Sequence, residues 1–244
     1  MAKKLRLDQL LVEKGLFSTR AKAQAAIMAG EVLVDGKKQT KAGAATAPEA
    51  ALELAARSPY VSRGGLKLAA ALAVFPVKVA GRVCLDLGAS TGGFTDCLLQ
   101  RGAALVYAVD VGTSQLDAKL KADPRVVSRE QTHARLLRPE QFDPRPELCV
   151  IDVSFISLAK VLPHAAACLR RPCELLALVK PQFEVGPKLA PKGVVRDPAA
   201  RAAAVEGVRS ALPPLGLCEA GLLECPVRGP KGNIELFLYL LGAS

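Results

Sequence analysis

Tryptophan is absent from this chain of 244 residues, aromatic side chains make up only 4% of it, and His133 and His164 are its two histidines. Neither histidine stands beside a nucleophile in a recognisable triad. Ser154, in Asp152-Val-Ser-Phe, lacks the Gly-x-Ser-x-Gly elbow, so hydrolytic chemistry is disfavoured. No apolar run reaches the ~18 residues of a membrane helix, and the opening Met-Ala-Lys-Lys-Leu-Arg-Leu-Asp has no signal-peptide core. No membrane association is expected, and the expected compartment is the cytoplasm. The seven cysteines show no Cys-x-x-Cys spacing and no histidine at zinc-ligand intervals, and Cys84 and Cys149 sit inside apolar runs. They read as reduced core residues, with no metal site among them. Nothing repeats internally.

Positive charge is plentiful, and it is uneven. The chain carries a formal net charge of +10, and residues 1–41 hold nine Lys/Arg against Asp8, Glu13, Glu31 and Asp35, a surplus of five. Clustered cations read as a polyanion-binding surface, because each phosphate contact releases counterions. A generally basic, solubilising surface is the competing reading of charge alone. Leu7, Leu10 and Leu11 make one face of a short helix that ends near Gly15. Ser18 is placed to cap a second helix through Met28, with Ala23, Ala26 and Ile27 inward and Gly30 at its stop. Glu31-Val-Leu-Val then reaches Asp35-Gly36, a hairpin turn signal, followed by Lys37-Lys38. In Arg6-Leu-Asp-Gln-Leu-Leu-Val-Glu-Lys-Gly, Ser18-Thr-Arg-Ala-Lys-Ala and Ala29-Gly-Glu-Val-Leu-Val-Asp-Gly this stretch resembles the S4 RNA-binding domain. That resemblance implies that Arg6, Arg20, Lys22, Lys37 and Lys38 face RNA phosphates. The alanine-rich residues 42–56 complete the small domain as a strand or spacer. The expected organisation is an S4-like module over 1–57, a linker over 58–61 around Arg57-Ser-Pro-Tyr60, and a second domain over 62–244.

From Gly81 onward short apolar runs alternate with helical patterns. Strands are expected at Val83–Leu87, Leu105–Val109, 126–128, Leu148–Ile151, 175–179, 217–223 and 234–240, with helices starting near Gly92, Gln115, Ser157 and Pro198. The fold class is therefore α/β: a Rossmann-like, mostly parallel sheet with helices on both faces, preceded by a small α+β module. Ligands of such sheets bind beyond the carboxyl ends of the strands. There lies Asp86-Leu-Gly88-Ala-Ser90-Thr-Gly92-Gly93-Phe94, where glycines permit tight turning and close approach. Asp110 ends the next strand, in reach of a ribose diol. A dinucleotide fold offers a similar pair. However, Asp86 would repel a pyrophosphate and welcome an amino group, and the loop is Gly-x-x-x-Gly-Gly without the dinucleotide spacing. S-adenosylmethionine (SAM) is the favoured cofactor.

The complete set of motifs resembles one family. Ser62-Arg-Gly-Gly-Leu-Lys67-Leu, the Asp86 loop, Asp110-Val-Gly, Asp152-Val-Ser-Phe-Ile-Ser, Val179-Lys180-Pro-Gln-Phe-Glu, Gly193-Val-Val-Arg-Asp and Gly232-Asn-Ile-Glu235 occur in the order found in the hemolysin-A-like (TlyA) ribosomal RNA methyltransferases. The catalytic domain of that family is of the FtsJ type, and the resemblance runs over residues 5–239. It implies a Lys-Asp-Lys-Glu tetrad at Lys67, Asp152, Lys180 and Glu235, and a SAM pocket at Asp86, Gly88, Ser90, Gly92, Phe94, Asp110, Glu130 and Asp152. It further implies 2′-O-methylation of a cytidine ribose in ribosomal RNA, on a ribosomal subunit and without an obligate protein partner. The short stretch after Glu235 leans toward the large subunit. Two positions depart from the family pattern: His133 where asparagine is frequent, and Thr113 where tyrosine is common. The competing functions are a non-catalytic RNA-binding or ribosome-assembly factor, a membrane-lytic hemolysin, and a SAM enzyme acting on a small molecule or a base nitrogen. In the tetrad, desolvation and a second lysine push the Lys180 pKa down while the carboxylates push it up, so its charge state is not set by the sequence. A base contributes ~10²–10⁴-fold, whereas orientation supplies ~7–11 kcal/mol; Lys180 is read first as a residue that steers the hydroxyl and second as a proton acceptor.

Overall fold

A computed structural model describes residues 4–28, 30–54 and 58–243. The chain divides into two compact units between Ser58 and Pro59. Arg57 of the expected linker lies outside the described residues, as does Ala29.

The first unit contains β1 (Leu5–Arg6), α1 (Leu7–Glu13), α2 (Arg20–Met28), β2 (Val32–Val34), β3 (Lys37–Gln39), β4 (Ala45–Thr46) and β5 (Leu52–Leu54). Leu7, Leu11, Ala23, Ala26, Ile27 and Val32 form its core, so the two helices pack through the faces that the leucine and alanine spacing marks. Asp35 and Gly36 adopt positive φ (50° and 72°), as the β2–β3 hairpin turn requires. The start of α2 differs from the expectation. It is capped by Thr19, whose Oγ1 accepts the Lys22 N–H, while Ser18 Oγ instead takes a hydrogen bond from Lys22 Nζ. The alanine-rich stretch supplies two further strands: β4 pairs with β1 and β5 with β2.

The second unit runs α3 (Arg63–Val74), β6 (Val83–Leu87), α4 (Gly93–Gln100), β7 (Leu105–Val109), α5 (Ala118–Lys121), β8 (Val126–Arg129), β9 (Leu148–Ile151), α6 (Leu162–Cys168), β10 (Cys173–Val179), α7 (Pro181–Glu184), α8 (Pro198–Arg209), β11 (Leu217–Glu224) and β12 (Leu236–Gly242). The strands form one seven-stranded sheet in the order β11-β12-β10-β9-β6-β7-β8. Five strands are parallel, and β12 and β11 close the sheet as an antiparallel pair beside β10. Alternate side chains feed two apolar layers: Leu85, Leu87, Cys149 and Ile151 enter one, Cys84, Leu148 and Val150 the other. Burial on both faces explains why these strands read as apolar runs, with Asp86 of β6 the polar residue among them. Among the described residues no helix is long and apolar enough to cross a membrane.

Several boundaries move. The helix expected near Gln115 is a single turn that starts at Ala118, capped by Asp117, whose carboxylate accepts the Lys119 N–H at 2.8 Å. Near Ser157 a 3₁₀ turn, Leu158–Lys160, precedes α6. The final strand begins at Leu236, which leaves Glu235 on the turn before it. The helix α3 was not anticipated at all. Ser62 caps it by accepting the Gly64 N–H, and Lys67, Leu68, Ala71 and Leu72 point inward. A lysine on the inner face hid the amphipathic pattern.

Candidate active site

The strand order reverses between β6 and β9, which places a crevice beyond their carboxyl ends. The turns after the two strands touch at this point. Gly88 has φ 84°, and a Cβ there would lie 2.6 Å from the Asp152 carbonyl oxygen. Gly92 also has positive φ, but a Cβ on it would strike Leu116 and Leu120. Both glycines are thus required by the packing of protein against protein, a different reason from the ligand approach the sequence suggested.

Two cavities open from this floor and share Gly88, Ser90 and Asp152. The larger, of about 1030 Å³, runs past Asp110, Gln115, His133, Phe155 and Phe183. The smaller, of about 360 Å³, is walled by Ser62, Gly64, Lys67, Phe94 and Arg228. Asp110 sits at the end of β7 with both carboxylate oxygens engaged, accepting the Ser90 N–H at 2.8 Å and the Gly112 N–H at 2.7 Å. Asp86 lies under the loop, fully buried, on the face of β6 that meets α4. Thr95 Oγ1 donates to its Oδ2 at 2.6 Å, and its Oδ1 has no hydrogen-bond partner among the described residues. Burial, opposed by the Thr95 bond and reinforced by Asp152 and Asp110, pushes the Asp86 carboxyl up to about 7.

Neither Asp86 nor Gly92 lines either cavity, and Glu130 does not either. Glu130 is occupied within the fold. It accepts the N–H groups of Ser114, Gln115 and Leu116 and pairs with Lys121 at 2.9 Å. The ammonium first and those amides next hold its carboxyl down at about 2. It thereby fixes the loop that follows Asp110. His133 lines the larger cavity and caps a 3₁₀ turn through Nδ1, which accepts the Arg135 N–H; Thr113 Oγ1 takes a hydrogen bond from Gln131.

The four residues Lys67, Asp152, Lys180 and Glu235 come from α3, the turn after β9, the turn after β10 and the turn before β12. Lys67 Nζ donates to Glu235 Oε2 at 2.6 Å, and this pair is buried. Lys180 Nζ stands 2.6 Å from Asp152 Oδ1 as an ion pair without hydrogen-bond alignment, and donates to Ser154 Oγ at 2.9 Å. Lys67 and Asp152 face the same cavity, so the two pairs converge on one end of the sheet. Gln182 Nε2 reaches the remaining Glu235 oxygen at 3.4 Å. Each of these lysines is matched by one carboxylate, the arrangement that largely buried charge requires.

Sequence reading assigned Ser154 to packing or loop support without foreseeing that it holds Lys180, and it passed over the pair Phe155 and Phe183. Phe155 is 90% exposed, has φ 62°, and stands 4.9 Å from the Phe183 ring centroid. An exposed phenylalanine in the left-handed region is a costly conformation of the kind that clusters at functional sites. Its position inside Asp152-Val-Ser-Phe was the available signal, but its exposure could not be read from composition.

In the other unit, Arg6 and Arg20 both donate to the fully buried carboxylate of Asp8, at 3.0–3.1 Å and 2.8 Å, and Gln24 joins them. The Arg6 bonds hold Asp8 well below the usual carboxylate range. Both guanidinium groups stay about half exposed, and Lys22, Lys37 and Lys38 are exposed.

The pattern of the FtsJ-like methyltransferase family matches residues 60–241 and that of the S4 domain residues 5–44. The 16S/23S rRNA (cytidine-2′-O)-methyltransferase TlyA of Mycobacterium tuberculosis is 48% identical over 98% of this chain and 91% of its own length. The 23S rRNA (cytidine-2′-O)-methyltransferase TlyA of Campylobacter jejuni is 35% identical over 75% of this chain and 71% of its own. A solved structure of a hemolysin-named protein from Streptococcus thermophilus is 43% identical, covers 100% of this chain and 90% of that one, and superposes with a TM-score of 0.78. With both patterns in sequence order and a switch-point crevice bearing the paired lysines, the chain belongs to the FtsJ-like methyltransferases that carry an S4 domain ahead of the catalytic one.

Proposed function

We propose that this protein transfers the methyl group of SAM to the 2′-hydroxyl of a cytidine ribose in ribosomal RNA. The observation that carries the reading is the convergence of the Lys67–Glu235 and Lys180–Asp152 pairs at the switch point. A ribose hydroxyl is a poor nucleophile near neutrality, so its transfer chemistry depends on alignment and on a place for the proton. Lys180, anchored by Ser154 and Asp152, is placed to hold the hydroxyl oxygen in line. In its neutral form the same amine takes the hydroxyl proton. The Lys67–Glu235 pair fixes the opposite wall and keeps the local charge balanced.

The cofactor supplies a methyl group already activated by its sulfonium. Its adenosine suits the larger cavity, with Asp110 at the ribose diol, and its amino-acid end suits the turn from Gly88 to Thr91. Asp86 lines neither cavity, and its buried carboxyl beneath that turn, when ionised, favours an ammonium-bearing ligand above it through its field alone. Glu130 contributes by fixing the 114–116 loop. Phe155, leaning on Phe183 beside Lys180, offers a stacking face for the target base. In the S4 unit Arg6, Arg20, Lys22, Lys37 and Lys38 supply phosphate contacts. Both relatives' names include the 23S molecule and one adds the 16S, which favours the large subunit as substrate and the cytoplasm as the place of action.

The test is to map 2′-O-methylcytidines in both ribosomal RNAs from cells with and without this protein. Loss of a modified cytidine in the absence of the protein is the expected result. An unchanged map, with the protein still bound to ribosomal particles, would favour the non-catalytic binding factor.

A further inference from the structure

Two turns of identical sequence, Pro-Lys-Gly, lie side by side on the methyltransferase unit: Pro191–Gly193 and Pro230–Gly232. In both the lysine is left-handed, Lys192 at φ 55°, ψ 21° and Lys231 at φ 58°, ψ 14°, and the glycine after it has φ 77° or 84°. At the first position of such a turn Asn, Asp or Gly is the low-cost residue. The chain twice puts a long cation there, and both lysines are exposed. The turns are fastened to each other. Lys231 Nζ donates to the Lys192 carbonyl at 3.1 Å. Buried Asn233 donates to the Gly193 carbonyl at 2.9 Å and accepts the Val195 N–H at 3.1 Å.

This double turn adjoins the catalytic pairs. Gly229 packs so closely on the Glu235 carboxylate that no Cβ would fit. Arg228 lines the cavity that Lys67 and Asp152 face, and its carbonyl accepts from Arg63 at 2.9 Å. Nearby carboxylates are already engaged: Glu224 pairs with Arg228 at 3.3 Å, and Asp197 caps α8 through the Ala199 N–H. The outward face is therefore cationic and held by hydrogen bonds between the two turns.

We propose that the double turn is a phosphate clamp, in which Lys192 and Lys231 grip the RNA backbone beside the nucleotide whose ribose enters the tetrad. The inference rests on the proposed ribose methylation and adds an anchor on the methyltransferase unit itself, apart from the S4 domain. Compact ammonium groups on a fixed backbone suit phosphates as point charges, position RNA without reading bases, and lose little freedom on binding.

The full-length variant K192G/K231G removes both charges and the Lys231 bond, while glycine accepts the left-handed backbone and the Asn233 bonds still tie the first turn to the residue after the second. K192R/K231R restores charge. With unmodified ribosomal subunits as substrate, the glycine variant should raise KM about tenfold, and the log–log salt slope of ribosomal RNA binding should fall by about two. SAM affinity by calorimetry should be unchanged, and the arginine variant should stay near wild type. A glycine variant with wild-type KM and wild-type salt slope overturns the clamp. The salt slope needs no turnover, so it decides the clamp even if the wild type methylates nothing. That outcome would overturn the proposed activity instead, and wild-type protein that does not bind ribosomal RNA would overturn both.

Discussion

Asp86 is buried beneath the Gly88 turn with one oxygen held by Thr95 and the other facing no donor, and its carboxyl titrates near 7. In the fold it keeps a proton that the unfolded chain, with its ordinary value of 3.8, has already released. Between these values acid favours folding, and stability falls as pH rises from about 4 to about 7, by on the order of a few kcal/mol. Denaturant midpoints of the cofactor-free protein should therefore drop from pH 5 to pH 8. Asp86→Asn should flatten the drop, and saturating SAM should reduce it in the wild type. A slope that survives in Asp86→Asn assigns the titration to another group. Asp110→Ala should lower SAM affinity by roughly 1–3 kcal/mol for each charge-assisted bond lost, read by calorimetry.

Lys180→Ala tests the other side of the chemistry. SAM affinity should stay within a few-fold of wild type while turnover drops by far more than tenfold. Lys180→Arg should also be poor, because a planar, permanently protonated guanidinium neither takes the proton nor fits the point between Asp152 and Ser154. Retention of over about a tenth of activity in Lys180→Ala excludes orientation by this lysine as the leading effect.

At the scale of elements, what was legible followed from chemistry that repeats at short range. Strands β6, β7 and β9 fall on the apolar runs that announced them, because burial on both faces keeps them apolar apart from Asp86 near the end of β6. The helix α3 was illegible for the opposite reason: it carries Lys67 on its buried face, and that charge is matched by Glu235, 168 residues away. Gly92 and Glu130 were legible as motif positions through the family resemblance yet not as to role, since their partners Leu120 and Lys121 sit on a one-turn helix that periodicity cannot detect. In the S4 unit the two arginines read as separate surface charges prove to share Asp8. Asp8→Asn should therefore loosen both at once. KM for ribosomal substrate should rise more than for Arg20→Gln alone, with SAM affinity unaltered. If the two variants match, the shared carboxylate has no positioning role.

The molecule as a whole consists of two compact units with separate cores. A ligand that binds one folded unit stabilises that unit alone. Scanning calorimetry should resolve two transitions, and SAM should raise the midpoint of the larger one only. A single transition that moves as one with SAM would show that the units melt together.

Strand β12 lies between β10 and β11 in the sheet although it follows both in the chain, and the turn that leads into it carries Glu235. During synthesis β10 and β11 emerge first with a gap between them that only the later segment fills. Until then Lys67 lacks its carboxylate and the edge of β10 is unpaired. Closing the gap joins residues far apart along the chain, the class of event that is slow and exposes sticky edges while it waits. The Lys67–Glu235 pair is thus completed only when the segment that carries β12 has entered the sheet.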